Sequence, residues 1–329
     1  MFKPYSKLLR WLRILRVTFI RKTIHFSRRI ILPGFEGISL WEILFFFVWS
    51  IRKGLIGTRA AALAFHFFLA LIPLALVLVV SSAYVPFFDL KEDIIPILSG
   101  FIPNILVDKF IGGLDAFENS TVNSIISIGF IMAIYFISNG FSEMIRGFNN
   151  SRIKFEKRSW LSTKFISLVF VIGFIFAILL MFLFMVWERK LMHFGADQFE
   201  FISNNYGWLD YGLVFLIMGT IIYFGIAVLY YLGPAKRSNF KFMSAGASLA
   251  TVLIILIFLI YSFYIQNYSN YNALYGSVGT IIIILLWIYL NAYALLIGFE
   301  LNASIHGAMM KKKLDNYSEL QESITKHNR

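Results

Sequence analysis

The sequence predicts an all-α, polytopic membrane protein with six transmembrane helices, an N-terminal amphipathic interfacial helix and a short elbow helix. Three observations carry this. Of 329 residues, 59% are hydrophobic and only 15% charged, where a soluble domain carries about 25% charge. The apolar residues come in solid runs rather than in the alternation of a membrane barrel, so the spans are helices. The basic residues are unevenly placed: in the six-span reading, 26 of the 30 Lys and Arg fall on one side of the membrane and four on the other. By the positive-inside rule both termini are then cytoplasmic.

Taken in order, residues 1–31 hold nine Lys and Arg. At 100° per residue, Leu8, Trp11, Leu12, Leu15 and Phe19 share an arc of about 100°. This is a basic amphipathic helix expected to lie on a membrane surface and contact anionic lipid headgroups. Nucleic-acid binding is the competing reading of such a stretch; the apolar face and the membrane domain that follows already account for it. Pro33-Gly34 ends the segment. Leu40 to Ile51 is apolar over about twelve residues, too short to span, and Trp41 and Trp49 suit an interfacial elbow.

The first span runs from Ala60 to about Val80 and contains His66 and Pro73, the latter expected to kink it by removing a backbone donor. An outer loop follows, with two short surface helices expected between Pro86 and Phe117. The second span, about Val122 to Phe141, contains Ser138-Asn139-Gly140. The third covers about Phe165 to Trp187, the fourth about Trp208 to Leu232, with Gly233-Pro234 as its stop. The fifth, about Phe242 to Ile265, opens with a small-residue face at Ser244, Ala245, Gly246, Ala247, Ser248 and Ala250, which lets another helix approach closely. The sixth, Tyr275 to Ser304, includes 23 residues without a charge from Ser277 to Phe299; at about 1.5 Å per residue these cross a hydrocarbon core of about 30 Å. The chain thus divides into a basic segment, 1–35, a membrane domain, 36–305, and a polar, loose cytoplasmic tail, 306–329.

Polar groups inside hydrocarbon are costly, so each calls for a partner or a purpose. His66 is placed to relay protons or to be held as a neutral imidazole against a neighbouring helix. Asn139 either breaks the second helix to present backbone groups or marks its plain end. Glu300 and Asn302 close the sixth span at the depth of Glu143 and Arg146, and an ion pair among Glu300, Arg146 and Arg59 is expected, as a lock or a gate. Arg59, His66, Asn139, Arg146, Glu300 and Asn302 are the candidate lining of a cytoplasm-facing cavity. Arg158 and Trp160, in the basic run Arg152 to Lys164, are candidates to hold a lipid headgroup, or supply topology charge and an aromatic anchor. Tyr261, Tyr264, Tyr268, Tyr271 and Tyr275 form an aromatic stripe at the outer interface.

There are no cysteines, and the five His are scattered with no i, i+4 pair, so no metal site and no cofactor are expected. No phosphate-binding or dinucleotide fingerprint and no nucleophile elbow occurs.

Several stretches together resemble the YihY/virulence factor BrkB family of bacterial inner-membrane proteins. They are Arg59-Ala60-Ala61-Ala62-Leu63-Ala64-Phe65 with Pro73, Ser138-Asn139-Gly140, Lys157-Arg158-Ser159-Trp160, Tyr275-Gly276-Ser277, Leu286-Trp287-Ile288-Tyr289 and, most specific, Gly298-Phe299-Glu300-Leu301-Asn302. The resemblance covers about residues 40 to 305 and implies six helices, cytoplasmic termini and the bacterial cytoplasmic membrane. It links the chain to serum resistance, lipopolysaccharide-related roles and ion or solute export, and to the name ribonuclease BN. RNA hydrolysis needs a metal cluster or a positioned acid/base pair; the cytoplasmic acids here are few and dispersed, so no enzyme activity and no nucleic-acid partner are expected.

The expected function is to transport or handle a small ion, a solute or a lipid without nucleotide hydrolysis. The alternative is a non-transporting scaffold of the envelope. Membrane lipids are the expected partners, and self-association stays open.

Overall fold

The computed structural model describes residues 26–27, 29–31, 34–82, 123–149, 158–198, 206–235, 242–267 and 271–327. The amphipathic helix expected before residue 26, the surface helices expected in the outer loop, and Tyr268 of the aromatic stripe lie outside them. The described residues hold seven long helices: α1 Leu40–Lys53, α2 Ile56–Ser82, α3 Asn123–Asn149, α4 Trp160–Gln198, α5 Tyr206–Leu232, α6 Ala245–Asn267 and α7 Tyr271–His327. Four of them are long and apolar enough to cross a membrane, or up to five if the bent pair Leu40–Arg52 and Ile56–Leu71 counts as one span.

Local sequence explains most boundaries. Ser39 caps α1 by accepting from the Glu42 amide at 3.4 Å, which meets one of the unpaired donors of a helix start. The chain then bends by 64° into α2, with Leu55 at φ +49°. A leucine in the left-handed region costs about 1–2 kcal/mol, so the surrounding packing imposes this corner. α2 continues through Pro73 to Ser82; the corner falls upstream, at 53–55. Ser159 caps α4 through the Ser162 amide at 3.3 Å.

Two expectations are corrected. Ser138-Asn139-Gly140 does not end the second apolar helix, since α3 runs on to Asn149. Gly140 is helical and serves as a contact: a Cβ there would sit 3.0 Å from the Phe67 ring, so its absence lets α2 lie close. The tail after Ser304 is not loose. α7 is one helix of 57 residues, and the stretch 308–327 lacks the helix breakers Gly and Pro.

Each helix from α2 packs on the next, and α7 returns to α2; α1 lies against α7. The result is a ring of six antiparallel helices closed by its last member. Among the described side chains, Leu63, Met144, Phe148, Tyr230, Leu296 and Phe299 are buried together at one end of the ring, all at 1% exposure or less. There Phe148 stacks on Phe299 with centroids 4.1 Å apart, and Tyr230 meets both edge-on at 5.6 and 5.7 Å. These rings come from α3, α5 and α7, so they plug the ring across its width. Edge-to-face and offset-stacked aromatics add about 0.5–1.5 kcal/mol per pair beyond their burial.

Candidate functional site

Beside the aromatic plug lies a buried polar node joining four helices. Arg59 of α2 donates to Glu300 Oε1 on α7 at 2.8 Å, with side-chain exposures of 13% and 1%. Its other terminal nitrogen donates to the Gly147 carbonyl of α3 at 2.6 Å. Ser50 of α1 donates its hydroxyl to Glu300 Oε2. Both carboxylate oxygens are therefore engaged, and the charges cancel. Gly54 makes room: a Cβ there would stand 2.9 Å from the Arg59 guanidinium. Burying two charges is costly unless geometry and hydrogen bonds are good; here each charge has its opposite and further bonds.

A second set of contacts holds α6 against α7. Asn302 Oδ1 accepts from the Gly246 amide at 2.8 Å, and Asn302 Nδ2 donates to Ser244 Oγ at 2.8 Å. Ser244 Oγ in turn accepts from the Ala247 amide at 3.2 Å. Asn302 thus completes the N-cap of α6 from a neighbouring helix. The backbones touch: a Cβ on Gly246 would lie 2.1 Å from the Gly298 carbonyl, and one on Gly298 2.5 Å from that of Gly246. The Tyr230 hydroxyl donates to the Leu295 carbonyl at 2.5 Å.

A third set joins α3 to α4. Ser142 and Ser167 share a hydrogen bond of 2.9 Å, and Lys164 donates to Asn139 Oδ1 while its ammonium sits 5.9 Å from the Tyr135 ring centre. Arg158 donates to the Leu232 and Pro234 carbonyls at 3.0 and 2.8 Å, capping the C-terminus of α5, where a cation is favoured.

The six residues expected to line one cavity are therefore distributed among separate packing contacts. Arg59 and Glu300 form the node, Asn302 caps α6, and Asn139 bonds Lys164. Arg146 departs from the three-membered pair expected for it: it meets Glu143 at 2.5 Å, with side-chain exposures of 51% and 27%. One helical turn sets that pairing, and it leaves Arg59 as the partner of Glu300. His66 lies two turns beyond Arg59 on α2, partly buried, with Nδ1 unpartnered and its ring 5.8 Å from that of Phe65. The Arg158 guanidinium is engaged with α5, whereas Trp160 stands 66% exposed. Among the described residues no group of three or more His, Asp or Glu is placed to hold a metal ion.

Sequence reasoning missed Ser50, Gly147, Phe148 and Tyr230. Ser50 had a signal, being a small polar residue in the apolar stretch of α1; the others contribute a carbonyl or a ring and look like ordinary helix residues.

Away from the node the described side chains of α4 and α7 are more exposed. On α4, positions 166, 170, 174 and 178 wind through about 120° of the helix surface. Along it Phe170 is 3% exposed, Phe174 42% and Ile178 39%. On α7, Ile288 is 8% exposed, Leu285 39% and Ile281 48%. Neighbouring helices stay in contact there, with the rings of Phe141 and Phe174 6.2 Å apart and those of Tyr261 and Trp287 6.0 Å apart. The stretches 165–187, 211–232, 245–267 and 271–299 of α4 to α7 carry no Asp, Glu, Lys or Arg.

A helical membrane protein, sealed at one end by a charge pair and an aromatic plug, is the class these features define. The pattern of the Virulence factor BrkB family matches residues 50–321, and the chain belongs to that family. It is 27% identical over 264 residues to a Bacillus subtilis protein, YfkH, whose name calls it ribonuclease-like, covering 78% of this chain and 91% of that one. A UPF0761 membrane protein of Coxiella burnetii is 25% identical over 256 residues, 73% of this chain and 84% of its own. A UPF0761 membrane protein of Pseudoalteromonas translucida is 35% identical over 81 residues, 25% and 27% of the two chains. No solved structure matches the chain.

Proposed function

We propose that this chain is a multi-pass protein of the bacterial cytoplasmic membrane, with six spans and both termini in the cytoplasm, and that it handles an amphipathic lipid within the bilayer. The ring helices α2 to α7 are the spans, α1 is an interfacial elbow, and the node faces the cytoplasm, where the basic residues gather. The observation that supports the lipid reading is the charge-free course of α4 to α7 beyond the node. These stretches are apolar and uncharged, which suits acyl chains and offers an ion no replacement for its hydration shell. Proton-coupled cation movement through Glu300 is disfavoured, because both its oxygens are engaged and its charge is cancelled by Arg59. No ribonuclease chemistry is proposed.

The test is direct. The purified chain is reconstituted into vesicles of phosphatidylethanolamine and phosphatidylglycerol carrying a fluorescent-tailed lipid, and a membrane-impermeant quencher reads movement between leaflets. Faster exchange than in protein-free vesicles supports the reading. Cation or proton flux without lipid exchange overturns it. The charge-paired node favours one second reading, a non-transporting scaffold, for which neither lipid exchange nor flux is expected.

A further inference from the structure

A cleft of about 730 Å³ lies outside the helix ring, between the start of α1 and the part of α7 that extends past the node. Trp41, Phe45 and Phe46 contribute apolar rings to it, and Glu42, Lys311, Lys312 and Asp315 contribute charge. Phe45 is 60% exposed, and the apolar surface continues along α1 through exposed Leu44, Val48 and Trp49. The four charged side chains are exposed. No ion pair joins them to one another, and Lys312 has a long bond of 3.5 Å to the Gly37 carbonyl. The cleft therefore offers two cations and two carboxylates at the edge of an aromatic floor.

We propose that this cleft binds the headgroup end of a zwitterionic phospholipid of the phosphoethanolamine type. Its phosphate is held by Lys311 and Lys312, its ammonium by Glu42 and Asp315, and its acyl chains run along Phe45 and the apolar side of α1. The charge balance argues for a zwitterion: a purely anionic headgroup would meet two like charges, and a purely cationic one the two lysines. The aromatic floor, continuous with an exposed apolar helix face, argues for a lipid rather than a free solute, since rings of this kind settle at the headgroup level. The volume falls within the range of small-molecule sites, roughly 300–1,000 Å³. This site is separate from the charge-free stretches of the ring and needs no movement of lipid between leaflets.

The test titrates the full chain in detergent with short-chain phosphatidylethanolamine, short-chain phosphatidylglycerol and free phosphoethanolamine, read by calorimetry. Saturable binding is expected, with phosphatidylethanolamine preferred. The double variant Glu42→Gln/Asp315→Asn should remove that preference, and Lys311→Ala/Lys312→Ala should weaken both lipids by roughly fivefold, the scale expected when two exposed charge contacts are lost. All four positions are exposed, so the variants should fold, which gel filtration checks. The proposal is overturned if phosphatidylethanolamine does not saturate, if phosphatidylglycerol is preferred, or if the carboxylate variant leaves the preference unchanged. Free phosphoethanolamine binding as tightly as the lipid overturns the lipid assignment. Binding with no lipid exchange in vesicles would leave this site standing while sinking the handling function; exchange without saturable binding would do the reverse.

Discussion

Replacing Glu300 by Ala should unfold the end of the bundle that holds the node. The substitution strips Arg59, whose side chain is only 13% exposed, of its counter-charge and leaves the Ser50 hydroxyl without its acceptor. Breaking a buried pair from one side costs about 3–5 kcal/mol. In a large domain each kcal/mol lowers Tm by roughly 2–4 °C, so a drop on the order of 10 °C is expected. The informative partner is Arg59→Met/Glu300→Met, in which no buried charge remains. It should recover most of the loss and keep a deficit of about 1 kcal/mol for the hydrogen bond to the Gly147 carbonyl. Thermal unfolding in detergent, followed by tryptophan fluorescence on wild type, both single variants and the double, gives the coupling between the two sites. If Glu300→Ala melts with the wild type, the node is not holding the bundle and a movable charge is the better description. A double variant no more stable than either single would equally refute the reasoning. The same logic shows why loss of activity in a Glu300 variant alone would not identify a proton site.

Three further outcomes follow from local geometry. Gly246→Ala should destabilise by about 3 kcal/mol, because its Cβ would meet a backbone carbonyl at 2.1 Å that cannot turn aside; Gly173→Ala, with nothing within 4 Å, should be neutral or raise stability by up to about 1 kcal/mol, and paired melts compare them. Asn302→Ala removes the cross-helix cap of α6 and should cost about 1–2 kcal/mol, with hydrogen exchange quickening first at the amides of Gly246 and Ala247. Arg146→Ala should change Tm by no more than a few degrees, since its ion pair with Glu143 is half exposed and such pairs contribute less than about 1 kcal/mol; a large loss would show that Arg146 has a partner at the node.

Helix type and approximate position were legible because solid apolar runs and breakers such as Gly233-Pro234 are local signals. The small-residue face of the fifth apolar run was legible for the same reason, and Gly246 indeed meets Gly298. Continuity was less so: Asn139-Gly140 is turn chemistry in isolation, yet packing of Phe67 on Gly140 and the bond from Lys164 to Asn139 hold it in α3. The polar tail shows the limit from the other side, since its lack of Gly and Pro after Gly307 was a helix signal outweighed by its charge. The candidate site was half legible. Composition marks Glu300 and Arg59 as costly charges that seek opposites, but it cannot choose between Arg59 and Arg146, which lie 87 positions apart in the sequence.

By itself the sequence determined that this chain is a helical membrane protein, where its apolar helices fall, and which charges are too costly to leave alone. Those follow from transfer energies and helix periodicity, which act over a few residues. Only the tertiary structure decided that α7 closes the ring onto α2, that Phe148, Tyr230 and Phe299 plug it, and that Glu300 takes Arg59 and Ser50 while Arg146 turns to Glu143. These depend on which helix faces meet across stretches of more than a hundred residues, and the steric fit of Gly246 against Gly298 and of Gly54 beside Arg59 settles them.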